Sequence, residues 1–253
     1  RAGSSALAPS ALRPVPALIA VLALAACGEP GLRQDFAPVA APAPAAVGER
    51  WATRVADGFN NRTLHTLRYE TTAVYGGGME SRVTQEPGGE TLTRRYDAGW
   101  NPRFGEFPPG LPASGNWPGI ASGARVEYAP ALPLLRFPLA ARQTWSERSE
   151  AVDPTTGKRV AIIVEGLVLG MGRVTVPAGT FEAVKVQNNL YFQDQDSWRS
   201  GVTERRVDWY APALGRIVHT RRDSEYTDQL RGGEVIRGDS RVEELLEAAP
   251  RGA

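Results

Sequence analysis

Residues 172–195 read GRVTVPAGTFEAVKVQNNLYFQDQ. The corner Pro177-Ala178-Gly179 splits this stretch into two β-prone runs, because proline cannot donate to a ladder and glycine tolerates turn geometry. In the second run Val184, Val186, Leu190 and Phe192 fall on a two-residue period, which puts them on one face of a strand. The stretch is a pair of strands with one apolar face, and the same pattern extends in both directions from it.

Downstream, GVTERRVDWYAP (201–212) and GRIVHTRRDSEYTDQL (215–230) read as two more strands joined at the bend Ala211-Pro212-Ala213-Leu214-Gly215. RVEELLEAA (241–249) has too few apolar residues to choose between a terminal helix and an edge strand. Upstream, TWSERSEAVD (144–153) and KRVAIIVEGLVLG (158–170) form a hairpin about Pro154-Thr155-Thr156-Gly157. Earlier still, TLHTLRYETTAVY (63–75), MESRVTQE (79–86) and ETLTRRYD (90–97) are separated by Gly76-Gly77-Gly78 and Pro87-Gly88-Gly89, breakers that favour tight reversals. The fold class is mainly β, an antiparallel meander forming a curved sheet or half-barrel.

Residues 98–143 break this rhythm. AGWNPRFGEFPPGLPASGNWPGI (98–120) sets Trp100, Phe104, Phe107 and Trp117 among many prolines and glycines, which permit neither a helix nor a long central strand. A long irregular, aromatic-rich loop is expected there. Its four aromatics are the candidates for ligand contact or for packing over the sheet.

At 253 residues the chain is long enough for a core that needs no disulfide or metal. It begins with Arg1, so its true start is expected upstream. The formal net charge is +1, and removing Arg1 and Arg13 from the 29 basic residues leaves 27 against 28 acidic ones, net −1. Such a balance argues against a general nucleic-acid binder.

Arg13 is followed by an apolar run in which ALIAVLALAA (17–26) carries no polar side chain. Ten residues are too few to cross a bilayer, which takes about 20, but they suit the apolar region of a signal peptide. The single cysteine, Cys27, follows directly, and Leu24-Ala25-Ala26-Cys27 resembles the bacterial lipobox. That resemblance implies cleavage before Cys27 and a lipid anchor on its sulfur; an ordinary secretory signal with an incidental cysteine is the alternative. Gly28 stands where an aspartate is the usual inner-membrane retention signal, so the resemblance implies an outer-membrane anchor with the protein facing the periplasm. Residues 28–50 are rich in alanine and proline and read as an extended tether. The expected organisation is a lipoprotein signal peptide (1–26), a tether (27–50) and one β-rich domain (51–247).

FPLAARQTW (137–145), VTVPAGTFEAVKV (174–186) and WYAPALGRIV (209–218) together resemble a family of uncharacterised β-rich bacterial envelope proteins, many of them lipoproteins. Two positions depart from that family's pattern. Arg142 stands where a turn glycine is common, and Ala213 replaces the first glycine after the Tyr210-Ala211-Pro212 bend; if those glycines serve positive φ, the two turns must differ here.

No Gly-x-Ser-x-Gly elbow, phosphate loop or dinucleotide fingerprint occurs. His65 and His219 lie in separate strands with no cysteine partner, and Asp194 and Asp196 lack the ligand density of a calcium loop. No cofactor, metal site or catalytic residue is expected. The pairs Arg94-Arg95, Arg205-Arg206 and Arg221-Arg222 each offer one guanidinium to each sheet face. Two of them on adjacent strands could bind lipid phosphate or an acidic glycan, while solvated arginines balanced by Glu204, Asp208 and Asp223 are the plainer reading. The expected function is a non-catalytic binding or interaction module in the envelope. Its expected partners are the membrane through Cys27 and a hydrophobic ligand or another envelope protein, with no nucleic acid. The rival is a hydrolase using Asp and Glu.

Overall fold

The structure, a computed structural model, describes residues 31–43, 45–106, 125–193 and 198–248. Among them are twelve strands and no helix: β1 (Arg50–Asp57), β2 (Thr63–Tyr75), β3 (Gly78–Glu86), β4 (Thr91–Asp97), β5 (Pro102–Glu106), β6 (Arg125–Ala129), β7 (Thr144–Val152), β8 (Arg159–Val176), β9 (Gly179–Gln193), β10 (Arg199–Ala211), β11 (Arg216–Asp228) and β12 (Glu234–Ala248). Each strand pairs antiparallel with its neighbours in sequence, and β1 pairs with β12, so the curved sheet closes into a barrel. The expected antiparallel meander is present, and closure removes the edges that a half-barrel would leave exposed. Of RVEELLEAA, residues 241–248 are strand: β12 is bonded on both sides and is not an edge.

Residues 107–124 of the expected loop lie outside the described residues, and its described parts, 98–106 and 125–143, are more regular than expected. They contain two five-residue strands, β5 and β6, with Pro102 at the first position of β5, where strand proline is tolerated. Residues 130–139 then fold into the lumen. Leu132, Leu134, Leu135 and Leu139 are all buried there. Their backbone polar groups find inward-facing partners: Asn188 Nδ2 donates to Leu134 O (3.1 Å), and Asn101 both donates to Leu135 O (3.0 Å) and accepts from Leu135 N (2.8 Å). Ser149 Oγ and Trp145 Nε1 donate to Pro130 O and Pro133 O. This inserted segment packs on Ile162, Val164, Leu190 and Phe192 and fills the β6–β10 side of the barrel with apolar side chains. Val184 and Val186 bury against Leu135, Leu139 and Tyr210 nearby.

β8 is the longest strand at 18 residues, and the tip it shares with β9 curls over one end of the barrel, where Ala178 N donates to Leu245 O (3.0 Å). The Val-Pro-Ala-Gly-Thr-Phe corner is the tip of this cap. Part of the stretch expected as a tether lies against the same region. Arg33 and Met171 exchange two backbone bonds (2.7 and 2.9 Å), and Val39 and Leu139 do likewise (2.9 and 2.8 Å). Gly170 permits the contact: it sits at a bulge with φ 142°, and a Cβ there would lie 2.8 Å from Arg33 O.

Both departures in the turns have a local explanation. Arg142 keeps a positive φ of 58° without glycine, held by Gln143, whose side chain accepts from Ala140 N (3.0 Å) and donates to Arg136 O (2.9 Å). In the other turn the positive φ falls on Gly215 (59°), so Ala213 needs none.

Candidate ligand site in the barrel lumen

Strand register decides which member of each arginine pair faces inward. Arg206 pairs with Arg222, which pairs with Arg241, placing three guanidinium-bearing positions in one row across β10, β11 and β12. Ser81, Arg94 and Gly105 form another inward row on β3, β4 and β5. Arg94 meets the first row across the lumen, in the walls of the same cavity. That cavity holds about 180 Å³, and a smaller one of about 70 Å³ shares Arg94, Tyr96, Pro102, Arg206 and Arg222 with it. The β1–β4 and β11–β12 side of the lumen thus sets these charges beside an apolar cluster that includes Val55, Leu67, Leu92, Val218 and Leu245, whereas the cluster lined by β6–β9 is filled by the leucines of the inserted segment.

The luminal charges are unevenly partnered. Asp208, wholly buried, accepts from Arg206 Nε (2.7 Å) and Thr220 Oγ1 (2.6 Å). Arg241 Nε donates to Asp239 (2.6 Å). Glu243 accepts from Thr53 Oγ1 (2.8 Å) and Tyr69 OH (3.1 Å). Among the described residues neither Arg94 nor Arg222 has a carboxylate oxygen within ion-pairing distance, and the buried Arg94 Nε has no hydrogen-bond partner.

Burial and neighbouring charge pull the two luminal glutamates apart. Burial pushes the Glu204 carboxyl above the ordinary carboxylate range, and Arg222 and Arg206 only partly oppose it. Burial acts on Glu243 too, but Arg94 and Arg222 outweigh it and hold this carboxyl below its usual range. Tyr69, Tyr96 and Tyr128 are pushed up by burial and stay neutral donors. Burial lowers His65, with Arg241 adding to the effect.

The capped end of this cavity is a cation–aromatic stack. The Arg216 guanidinium lies 4.5 Å from the Trp51 ring centre and 5.7 Å from that of Trp100, and it ion-pairs with Glu49. Trp51 stacks on Tyr69 at 4.7 Å and meets Trp100 edge-on at 5.6 Å. Trp100 adopts φ 62°, an unusual value for a bulky residue. Asp97 fixes it there by accepting from Gly99 N (2.8 Å) and Asn101 N (2.9 Å) on either side.

Of the aromatics proposed from sequence, Trp100 lines the larger cavity, whereas Phe104 borders only the smaller one and pairs with Arg95, whose guanidinium lies 4.9 Å from its ring centre. Phe107, Trp117 and Cys27 lie outside the described residues, as do Asp194 and Asp196. His65 faces inward and His219 lies on the opposite face of β11 from Thr220. Among the described residues no group of three metal-ligating side chains occurs. Sequence reasoning missed Arg241, Glu243, Tyr128 and Arg216. Their two-residue spacing to known inward positions was visible, but not the strand register that gives it meaning.

No family model matches the chain, and no curated protein does. The chain is similar to the crystal structure of a candidate lipoprotein from Parabacteroides distasonis ATCC 8503, at 15% identity and a TM-score of 0.48, covering 85% of this chain and 100% of that one. It is also similar to a candidate exported protein with a YmcC-like fold from Bacteroides fragilis NCTC 9343, at 15% identity and a TM-score of 0.45, covering 84% and 100%.

Proposed function

We propose that this chain is a lipid-anchored protein of the bacterial envelope, held by Cys27 at the outer membrane and facing the periplasm, whose barrel is a non-catalytic binding module. The anchor rests on Leu24-Ala25-Ala26-Cys27 after its ten-residue apolar run. The binding role rests on one observation: a closed barrel that packs one side of its lumen with apolar side chains keeps a cavity of about 180 Å³ in the other, where guanidinium and phenol groups are set among apolar ones. Buried polar groups are costly unless they are satisfied. A fold that can pack hydrocarbon gains nothing in stability from such a cavity, but it gains a place to hold a polar ligand. This favours a polar ligand over the hydrophobic one expected from the sequence.

A second reading, an envelope hydrolase, has one observation in its favour. Glu204 and Glu243 are shifted in opposite directions, as an acid and a base would be. Against it, Glu243 is engaged by Thr53 and Tyr69 and sits among arginines inside a closed barrel. Two measurements test the proposal. Cys27→Ala is expected to abolish acyl labelling and release the protein from membrane fractions, and retained label would refute the anchor. The purified chain is expected to turn over no glycan, ester or peptidoglycan substrate; turnover lost in Glu204→Gln would establish the hydrolase instead.

A further inference from the structure

We infer that the luminal cavity holds a phosphate-type oxyanion, gripped between Arg94 on β4 and Arg222 on β11. The inference rests on the binding-module reading above and names the chemistry of its ligand. The charged side chains in the walls of the larger cavity are Arg94, Arg206, Arg216, Arg222 and Arg241 against Glu243 alone. Asp208 does not line it: it is wholly buried, in the grip of Arg206 and Thr220. Of the two luminal cavities Glu204 lines the smaller and not the larger, and its burial favours the uncharged form. Asp208, Glu49 and Asp239 engage Arg206, Arg216 and Arg241, which leaves Arg94 and Arg222 against Glu243 and a net positive charge facing the enclosed space.

Among the described residues Arg94 and Arg222 are the arginines of that wall with no carboxylate within ion-pairing distance. A charged donor buried without an acceptor carries the full desolvation penalty, and the Arg94 Nε is such a donor. An oxyanion in the cavity would supply the missing acceptors. Two guanidinium forks approaching from opposite walls suit a group with three peripheral oxygens, each fork taking two of them. The neutral hydroxyl of Tyr96, in the wall of both cavities, is a further donor. A cation would meet repulsion at the same place. At the roughly 30 Å³ that each water takes in the liquid, the larger of the two luminal cavities, about 180 Å³, has room for about six waters, enough for a phosphate group.

The phosphate could come from a soluble ester, from inorganic phosphate or from a lipid headgroup, and calorimetry distinguishes them. The full-length chain would be titrated at low ionic strength with inorganic phosphate, glucose 1-phosphate and vesicles containing phosphatidic acid, with sodium chloride and glucose as controls. Saturable binding is expected in at least one phosphate arm, the tightest arm naming the source, and none with the controls. Arg222→Gln is expected to weaken it by about 10- to 100-fold, the range for loss of charge-assisted bonds. Arg221→Gln, its neighbour on the outer face of β11, should leave it within about twofold. Arg222→Lys, which keeps the charge and loses the fork, should also weaken binding, and it guards against a variant that fails to fold. Absence of saturable binding in all three phosphate arms, or equal loss in Arg221→Gln and Arg222→Gln, overturns the inference. A neutral ligand bound in the lumen would overturn it too, while leaving the binding module standing.

Discussion

His65 and His219 are buried enough that desolvation lowers both below the ordinary histidine value of 6.5. Arg241, Arg94 and Arg222 reinforce the effect on His65 and Glu243 opposes it; Glu244 and Asp208 oppose it on His219, where Lys185 and Arg221 reinforce it. A depressed folded value means that the unfolded chain takes up protons first as pH falls below 6.5, so the fold loses stability in that window. Glu204 runs the other way, because its raised value makes the fold lose stability as pH rises through it. The wild-type protein should therefore be compared with variants at the same pH. Between pH 7 and 5.5, His65→Gln is expected to lose less of its melting temperature than the wild type, and a parallel fall in both would refute the assignment. At this scale the sequence showed the right residues without their roles. It offered Arg94, Arg206 and Arg222 as members of pairs with one guanidinium per face. Which face was inward depended on pairings such as Arg206 with Arg222, and these are set by the whole sheet.

The docking of residues 31–43 on β8 rests on close backbone approach at Gly170. Gly170→Ala would force a Cβ to within 2.8 Å of Arg33 O in a conformation that L side chains rarely adopt. A loss of about 1–3 kcal/mol is expected from such overpacking, with faster protease cleavage within residues 31–43 as its signature. Unchanged melting and cleavage would show that the segment is not held at Gly170. Strands flanked by glycine-rich turns were readable from sequence because their signals are local, as at β2, whose bounds Thr63–Tyr75 are those of TLHTLRYETTAVY. The docked segment was not, because alanine and proline carry no pattern and its partners are provided by Met171 and Leu139, far along the chain. Residues 130–139 were hidden for the same reason: their leucines lack a strand period, and the asparagines that satisfy their carbonyls, Asn101 and Asn188, lie in other elements.

For the molecule as a whole, closure is what turns a curved sheet into a container, and β12 performs it by pairing with β1 across nearly the full length of the chain. Neither strand advertises this, since RVEELLEAA alternates glutamates with few apolar residues. Those same glutamates and the preceding arginine become intelligible once Arg241 and Glu243 face a lumen. The lumen is expected to hold a ligand when the protein is at work. Native mass spectrometry of the full-length protein extracted from its own envelope tests this most directly, with wild type and Arg94→Gln/Arg222→Gln prepared in parallel. A discrete extra mass is expected on the folded wild-type chain, of a small molecule bearing an acidic group, that is absent or much reduced on the equally folded double variant. The bare chain mass in both, or the same added mass in both, would contradict it.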